Sequence, residues 1–361
     1  MEDDLDSIFG GQVRYARDAF EGLALMEPLV AIARGADPTS VGLPALKKRI
    51  HKKSSLVLTE PEQMPGRSDV AADNPVPAPP FWGTRIVKGV ALADFSAFLD
   101  ERATFMGQWG LKPNRAEDGA SYQELVDTVG RPRLRYWLDR ILGEGMLDAS
   151  VAYGYFPVVA EGNDMVVLHH GDDPTGLMGP AGLLALDGGS DGVLASDRVR
   201  FSFPRQRRDK HLCLADFVRS RDSGVTDVVG LQLVTAGSHV DSVTAKLFAE
   251  NKYRDYMELN GLTMQLTEAL AEYWHSRIRS EFGVGGEDPA NVAGMFKLEY
   301  RGARFSLSYP ACPEMKDRRK VVELLKPERM GVVLSEELQV HPEQSTDAFV
   351  FHHPQAKYFS V

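Results

Sequence analysis

Residues 252–283, "KYRDYMELNGLTMQLTEALAEYWHSRIRSEFG", constrain this chain most. Leu262, Leu266, Leu270, Trp274 and Ile278 recur at every fourth position and give one long helix an apolar stripe. Two shorter helical patterns precede it, "LADFSAFLDERATFMGQWG" and "SYQELVDTVGRPRLRYWLDRILGEG". "VAYGYFPVV", "DMVVLHH" and "VVGLQLVTAG" are β-rich and bounded by turn residues, and "TDAFVFHH" and "KYFSV" close the chain in the same manner. Helices and strands mix without regular βαβ alternation, which favours an α+β fold over a doubly wound sheet.

Ahead of this body, residues 12–34 read as a short extended piece and a helix whose apolar face holds Phe20, Leu23, Leu25, Met26, Leu29, Val30 and Ile32. Residues 36–80 are rich in Pro, Gly, Ser and charge, with little periodicity, and read as a flexible linker. The expected organisation is therefore 1–35, a linker over 36–80, and a main domain over 81–361. Two cysteines, Cys213 and Cys312, give no disulfide framework. The acidic start "MEDDLDSIFGGQ" is no signal peptide, and no window approaches the ~18 apolar residues of a membrane span, so a cytoplasmic protein is expected. The net charge of −10 argues against nucleic acid, although basic clusters stand at 47–53 and 205–210.

Familiar catalytic signatures fail. "GVGGED" lacks dinucleotide-binding spacing and follows a helix, and there is no P-loop and no Gly-x-Ser-x-Gly elbow. Asp209 and His211 in "DKHLCL" run straight into core-like residues. Glu272 and His275 form a Glu-x-x-His step with Glu268 one turn back, but di-metal helical bundles need a second copy of that step, and no other histidine has one. The pairs His169–His170 and His352–His353 lie on strand-like segments, where neighbours point to opposite faces. Cys312 sits between prolines without a nearby histidine and reads as packing. What remains is "RFSLSYPACP", Arg304 to Pro313, which fits neither helix nor strand because two prolines remove ladder donors. A stiff loop offering a guanidinium suits a carboxylate ligand. With Asp100 for an ammonium and Tyr358 for an aromatic face, it makes a plausible site for a zwitterion carrying adenine.

That loop resembles the Arg-x-x-x-Gly-Tyr-Pro-Ala-Cys-Pro loop of the activation domain of cobalamin-dependent methionine synthase. "FWGTRIVKGVALADFSAFLDERATFMGQWGLK", "LCLADFV", "LTEALAEYWHSRIR" and "HPEQSTDAFVFHHPQAKYFSV" are similar to further blocks of that domain in the same order, over about 81–361. Residues 10–34 resemble the last strand and helix of the cobalamin-binding domain that precedes it. The resemblance implies a bent, mainly antiparallel sheet with surrounding helices, binding S-adenosylmethionine (AdoMet) in a shallow groove. It assigns Asp100 to the methionine amino group, Arg304 to the methionine moiety, and Tyr309, Tyr358, Phe359 and Glu268 to the groove. No catalytic residue and no metal ligand is expected.

The implied chemistry is reductive reactivation, in which cob(II)alamin on a partner domain or chain is reduced by a flavodoxin-like donor and trapped by methyl transfer from AdoMet. Neither nucleic acid nor membrane is expected as a partner. Departures from the family pattern are Ser308 in place of glycine, Leu298 where a glutamate often stands, and "EMKDRRK" after the loop. A serine at positive φ there would cost on the order of 1 kcal/mol. Homocysteine, folate and cobalamin-ligating motifs are absent, so this chain is not expected to make methionine alone and would be part of a methyltransferase. A non-catalytic module binding AdoMet or a corrinoid protein, and an inactive truncated relic, are the alternatives.

Overall fold

A computed structural model describes residues 13–16, 19–43, 64–113, 120–168 and 197–361. The acidic start, the basic cluster at 47–53 and the pair His169–His170 lie outside the described residues. The chain divides into two compact units, one of residues 1–56 with 101–137, the other of residues 57–100 with 138–361.

In the first unit, helix α1 spans Ala19–Ala33 and contains Pro28, which has no N–H to give the carbonyl one turn back. Its apolar residues do not share one buried face. Leu25 is buried and Leu29 and Ile32 are half-buried, whereas Leu23, Met26 and Val30 are exposed. At three or four residues per turn the two trios occupy different sides of the helix, and only one side is covered. A second helical stretch begins at Tyr122, where Ser121 accepts a hydrogen bond from the Glu124 amide, and continues into α2, Arg131–Gly143, whose residues from Leu138 onwards are counted with the second unit. Gly130 lies against the ring of Phe105, where a Cβ would meet the ring at 3.2 Å.

The second unit is built on one antiparallel sheet. Its strands are β1 (Gly83–Lys88), β2 (Ser150–Glu161), β3 (Asp164–Leu168), β4 (Asp197–Ser202), β5 (Asp227–Thr235), β6 (Ala303–Ser306) and, after the small ribbon β7 (Val333–Leu334) and β8 (Val340–His341), β9 (Ser345–Phe351). The order is β4-β3-β2-β5-β9-β6. β2 pairs along one edge with β5, while its other edge is shared by β1, opposite residues 150–155, and β3, opposite 158–161. The sheet curls into a half-barrel. β1 can approach because Gly154 has no side chain; a Cβ there would lie 2.1 Å from the Gly83 carbonyl oxygen.

Both faces of the sheet are covered, so the central strands are near-continuous apolar runs instead of alternating ones. On one face Phe156, Leu231, Phe305 and Phe349 join a core with Phe217 and with α5, Asp317–Leu325. On the other lie α3 (His239–Ala249) and the long helix α4, Tyr253–Glu281. All five residues of the stripe at 262–278 are buried. Trp274 meets the Tyr153 ring edge-on at 5.1 Å, and Gln232 of β5 donates to the Ala271 carbonyl of α4 at 2.9 Å.

Three local expectations change. The helix expected over 92–110 is interrupted: a turn at Leu92–Phe95 and a tighter one at Ser96–Phe98 end before Leu99 and Asp100, so Asp100 lies in a break and not on a helix. "KYFSV" runs without a sheet partner. Arg304–Ser306 belong to β6, since the first proline of the loop is Pro310 and the amides before it can still pair with β9. Within the segment read as a linker, residues 64–80 carry no regular element but are pinned to the body. Ser68 donates to Asp216 at 2.7 Å, Val70 is buried in the core, and Arg219 donates to the Ala72 and Asn74 carbonyls.

Candidate functional site

β6 forms the edge of the sheet beside β9, and period-two geometry sorts its side chains. Phe305 enters the core, near the rings of Phe217, Phe351 and Phe359. Arg304 therefore emerges on the opposite face, the one α4 covers. There it meets Glu268 and Glu272, one helical turn apart. Arg304 Nη2 donates to Glu268 Oε2 at 2.8 Å and Nε to Glu272 Oε2 at 3.1 Å.

Around this triad lie two adjoining hollows of about 240 and 260 Å³, which share Glu268, Glu272, Leu298 and Arg304. One continues to Tyr300, Gly302, Tyr309, Lys357 and Tyr358; the other to Phe98, Asp100, Gln265, Met295 and Phe296. Together they form a groove of ordinary size for a small molecule. Of the six residues singled out in the sequence, Asp100, Glu268, Arg304, Tyr309 and Tyr358 line it. Phe359 does not: it packs into the core beneath Phe305, while its neighbour Tyr358 stacks on the outer side of Phe305 at 6.3 Å between ring centres.

The loop after β6 closes on itself. The Ser308 amide donates to the Cys312 carbonyl at 3.0 Å and the Cys312 amide to the Tyr309 carbonyl at 2.9 Å, leaving the Tyr309 ring exposed at the groove. Ser308 has φ +71°, so the serine does occupy a left-handed position that favours glycine. Beneath the loop, buried Arg318 ties Asp347 of β9 (2.8 Å) to the Leu338 carbonyl (2.8 Å) and, more loosely, to Ser308 Oγ (3.4 Å). Burial pushes the Cys312 thiol up to about 12, so it is no nucleophile at neutral pH.

Glu272, Tyr300, Leu298 and Lys357 complete the groove and escaped sequence reasoning as binding residues. Glu272 was visible as part of the Glu-x-x-His step, but the structure spends it on Arg304. Among the described residues, no group of three His, Cys, Asp or Glu side chains is arranged to hold a metal. Burial alone would raise the Glu272 carboxyl, but His275 and the Arg304 and Arg279 guanidiniums outweigh it and hold it well below the usual range. Burial lowers His275 to about 4 against the opposing pull of Glu272, so the imidazole is neutral at neutral pH. Leu298 adopts φ +57°, unusual for a side-chain-bearing residue, and Lys357 Nζ donates to its carbonyl at 3.0 Å. The other sequence candidates are structural. Asp209 and His211 sit in a left-handed turn, His352 bonds Asp227 at 2.8 Å, and His353 bonds the Ala71 carbonyl at 2.9 Å.

Fold and groove thus define an α+β domain with a polar surface groove between one long helix and a sheet edge. The solved structure titled "Crystal Structure of the MetH Reactivation Domain bound to AdoHcy" has the same fold, with a TM-score of 0.68 and 23% identity over 84% of this chain and 89% of that one. The family model described as "Vitamin B12 dependent methionine synthase, activation domain" matches residues 133–361, and the chain belongs to that family. Methionine synthase of Mycobacterium tuberculosis is 51% identical over 386 residues, covering 100% of this chain and 31% of the relative. That of Mycobacterium leprae is 50% identical over 389 residues with the same coverage. The chain therefore spans less than a third of the length of these relatives. No described helix is long and apolar enough to cross a membrane.

Proposed function

We propose that this chain is the AdoMet-binding reactivation module of a cobalamin-dependent methionine synthase. The observation that carries the reading is Arg304, set in the floor of a groove with Asp100 at one wing and Tyr309 and Tyr358 at the other. The solved neighbour's title names S-adenosylhomocysteine, which differs from AdoMet by the transferred methyl group.

AdoMet carries an ammonium, a sulfonium and one carboxylate, a net cation. Asp100, Glu268 and Glu272 against Arg304 and Lys357 leave the groove one negative charge in excess, complementary to that cation. Nη1 of Arg304 makes no hydrogen bond to the described residues and is the donor available to the ligand carboxylate, with Asp100 for its ammonium. Tyr309 and Tyr358 are half-exposed rings that can flank the adenine. Held there, AdoMet would supply its methyl, with S-adenosylhomocysteine as the leaving group, to the reduced cobalt of a partner cobalamin domain. No proton need move in that exchange, so the protein's contribution would be placement. A cobalamin-binding domain is the partner this implies, and a flavodoxin-like protein the electron donor.

Calorimetric titration of the intact chain with AdoMet tests the reading. Saturable binding is expected, with Arg304→Ala weakening it at least tenfold, as expected for loss of a charged hydrogen-bonding group. Absence of heat with the intact chain, confirmed by equilibrium dialysis, would refute it.

A further inference from the structure

The Glu-x-x-His step on α4 is left unexplained by a ligand site alone, because His275 and most of Glu272 lie beneath the groove and not in it. From the groove inwards, charges alternate in sign: Arg304, Glu272, Arg279, Asp288. Glu272 Oε2 accepts from Arg304 Nε at 3.1 Å, and its Oε1 stands 3.5 Å from His275 Nδ1 and 3.9 Å from Arg279 Nη1. Arg279 is fixed in turn. Its Nε and Nη2 donate to the two oxygens of Asp288, each at 2.8 Å, and its guanidinium lies 4.0 Å above the Tyr300 ring.

The two carboxylates on Arg304 are unequal. The Glu268 side chain is 45% exposed, so water screens it and it keeps rotamer freedom; that of Glu272 is 13% exposed and backed by the inner chain of charges. Burying such a chain is a poor route to stability, since well-packed apolar residues would serve as well. It does confer orientation. A guanidinium clasped at Nε cannot swing about its long side chain, and its Nη1 edge stays turned to one place.

We infer that Glu272 is a positioning residue, which holds the Arg304 guanidinium by Nε so that its Nη1 edge is preset for the carboxylate of the ligand. The inference rests on the proposed function. Glu268, open to water, can exchange Arg304 for solvent when ligand enters; Glu272, buried against the inner charges, has no such alternative.

The test is AdoMet calorimetry on the intact chain with Glu272→Gln, Arg304→Lys and the double variant, folding being checked by circular dichroism. Gln keeps the shape of Glu272 but weakens its grip, and lysine has no fork to orient. Glu272→Gln is expected to weaken binding roughly tenfold, the loss of one charge-assisted hydrogen bond. In the Arg304→Lys background the same change is expected to cost less than twofold. If Glu272→Gln fails to fold, Glu272→Asp retains the charge at a shorter reach and should fall between the intact chain and Arg304→Lys. A ligand-free readout is the Arg304 Nε–H resonance in ¹⁵N-labelled protein, assigned by its loss in Arg304→Lys. It should be sharp and slowly exchanging, and should broaden in Glu272→Gln. Binding unchanged within twofold in Glu272→Gln, or full penalties multiplying in the double variant, would overturn the inference while AdoMet binding by the intact chain still upheld the site. No binding by the intact chain would overturn the site and this role together.

Discussion

Gly302→Ala offers a severe test of how β6 presents Arg304. Gly302 has φ +82°, and a Cβ there would lie 2.2 Å from the Phe351 carbonyl oxygen, with the Phe351 carbonyl carbon at 3.3 Å and His352 Cα at 3.4 Å. Two costs combine. The left-handed backbone costs an alanine about 1 kcal/mol. The clash is with main chain, so β6 must retreat by about 1 Å from β9 to restore ordinary contact, giving up the pairing of Ala303 with Phe351 at a further cost of about 2 kcal/mol. Gly162, in the β2–β3 turn, is the control. Its φ is +60° but nothing lies within 4 Å of its added Cβ, so Gly162→Ala should cost about 1 kcal/mol only. Urea denaturation followed by circular dichroism should therefore separate the two variants by about 2 kcal/mol. Arg304 is two residues along, so Gly302→Ala should also weaken AdoMet binding at least tenfold, with Gly162→Ala unchanged. Equal stability losses in the two variants, or wild-type affinity in Gly302→Ala, would refute the account of the sheet edge.

Three further outcomes follow from buried and strained groups. His275 has a folded pKa of about 4, below its ordinary value near 6.5, so its stabilising share is complete above pH 6.5 and is lost as the pH falls towards 4, amounting to about 3 kcal/mol. Thermal melts of His275→Gln across that window should show a shallower fall in stability than the intact chain; parallel curves would contradict it. Asp216→Asn should cost about 3–5 kcal/mol in denaturant titration, because Arg205, 2% exposed, donates to both of its oxygens and would keep a buried charge without its counterion. Ser308→Gly should change stability by less than about 0.5 kcal/mol, since relief of the left-handed serine is offset by the greater chain entropy of unfolded glycine. AdoMet affinity should stay within twofold, and a large gain would show that the serine had been distorting the loop.

Periodicity and local punctuation made much of this protein legible. The four-residue stripe of α4 is buried as its spacing requires, and β2, β5 and β9 lie where β-rich runs end at turn residues. The short-range resemblance of "RFSLSYPACP" led to the residue on which the groove turns, and the φ of Ser308 is one that the glycine of the family loop foretold. What needed the tertiary structure was sidedness and pairing. Tyr358 and Phe359 are neighbours of similar chemistry, yet one stacks on Phe305 and stays half-exposed while the other meets that ring edge-on and is buried, because the path of the chain past the ring decides how each meets it. Glu272 and His275 have the spacing of metal ligands, but their role follows from Arg304, 32 residues further on, arriving on the same face. Spacing along a helix fixes which of its residues share a side; only the packing of distant elements decides what that side will touch.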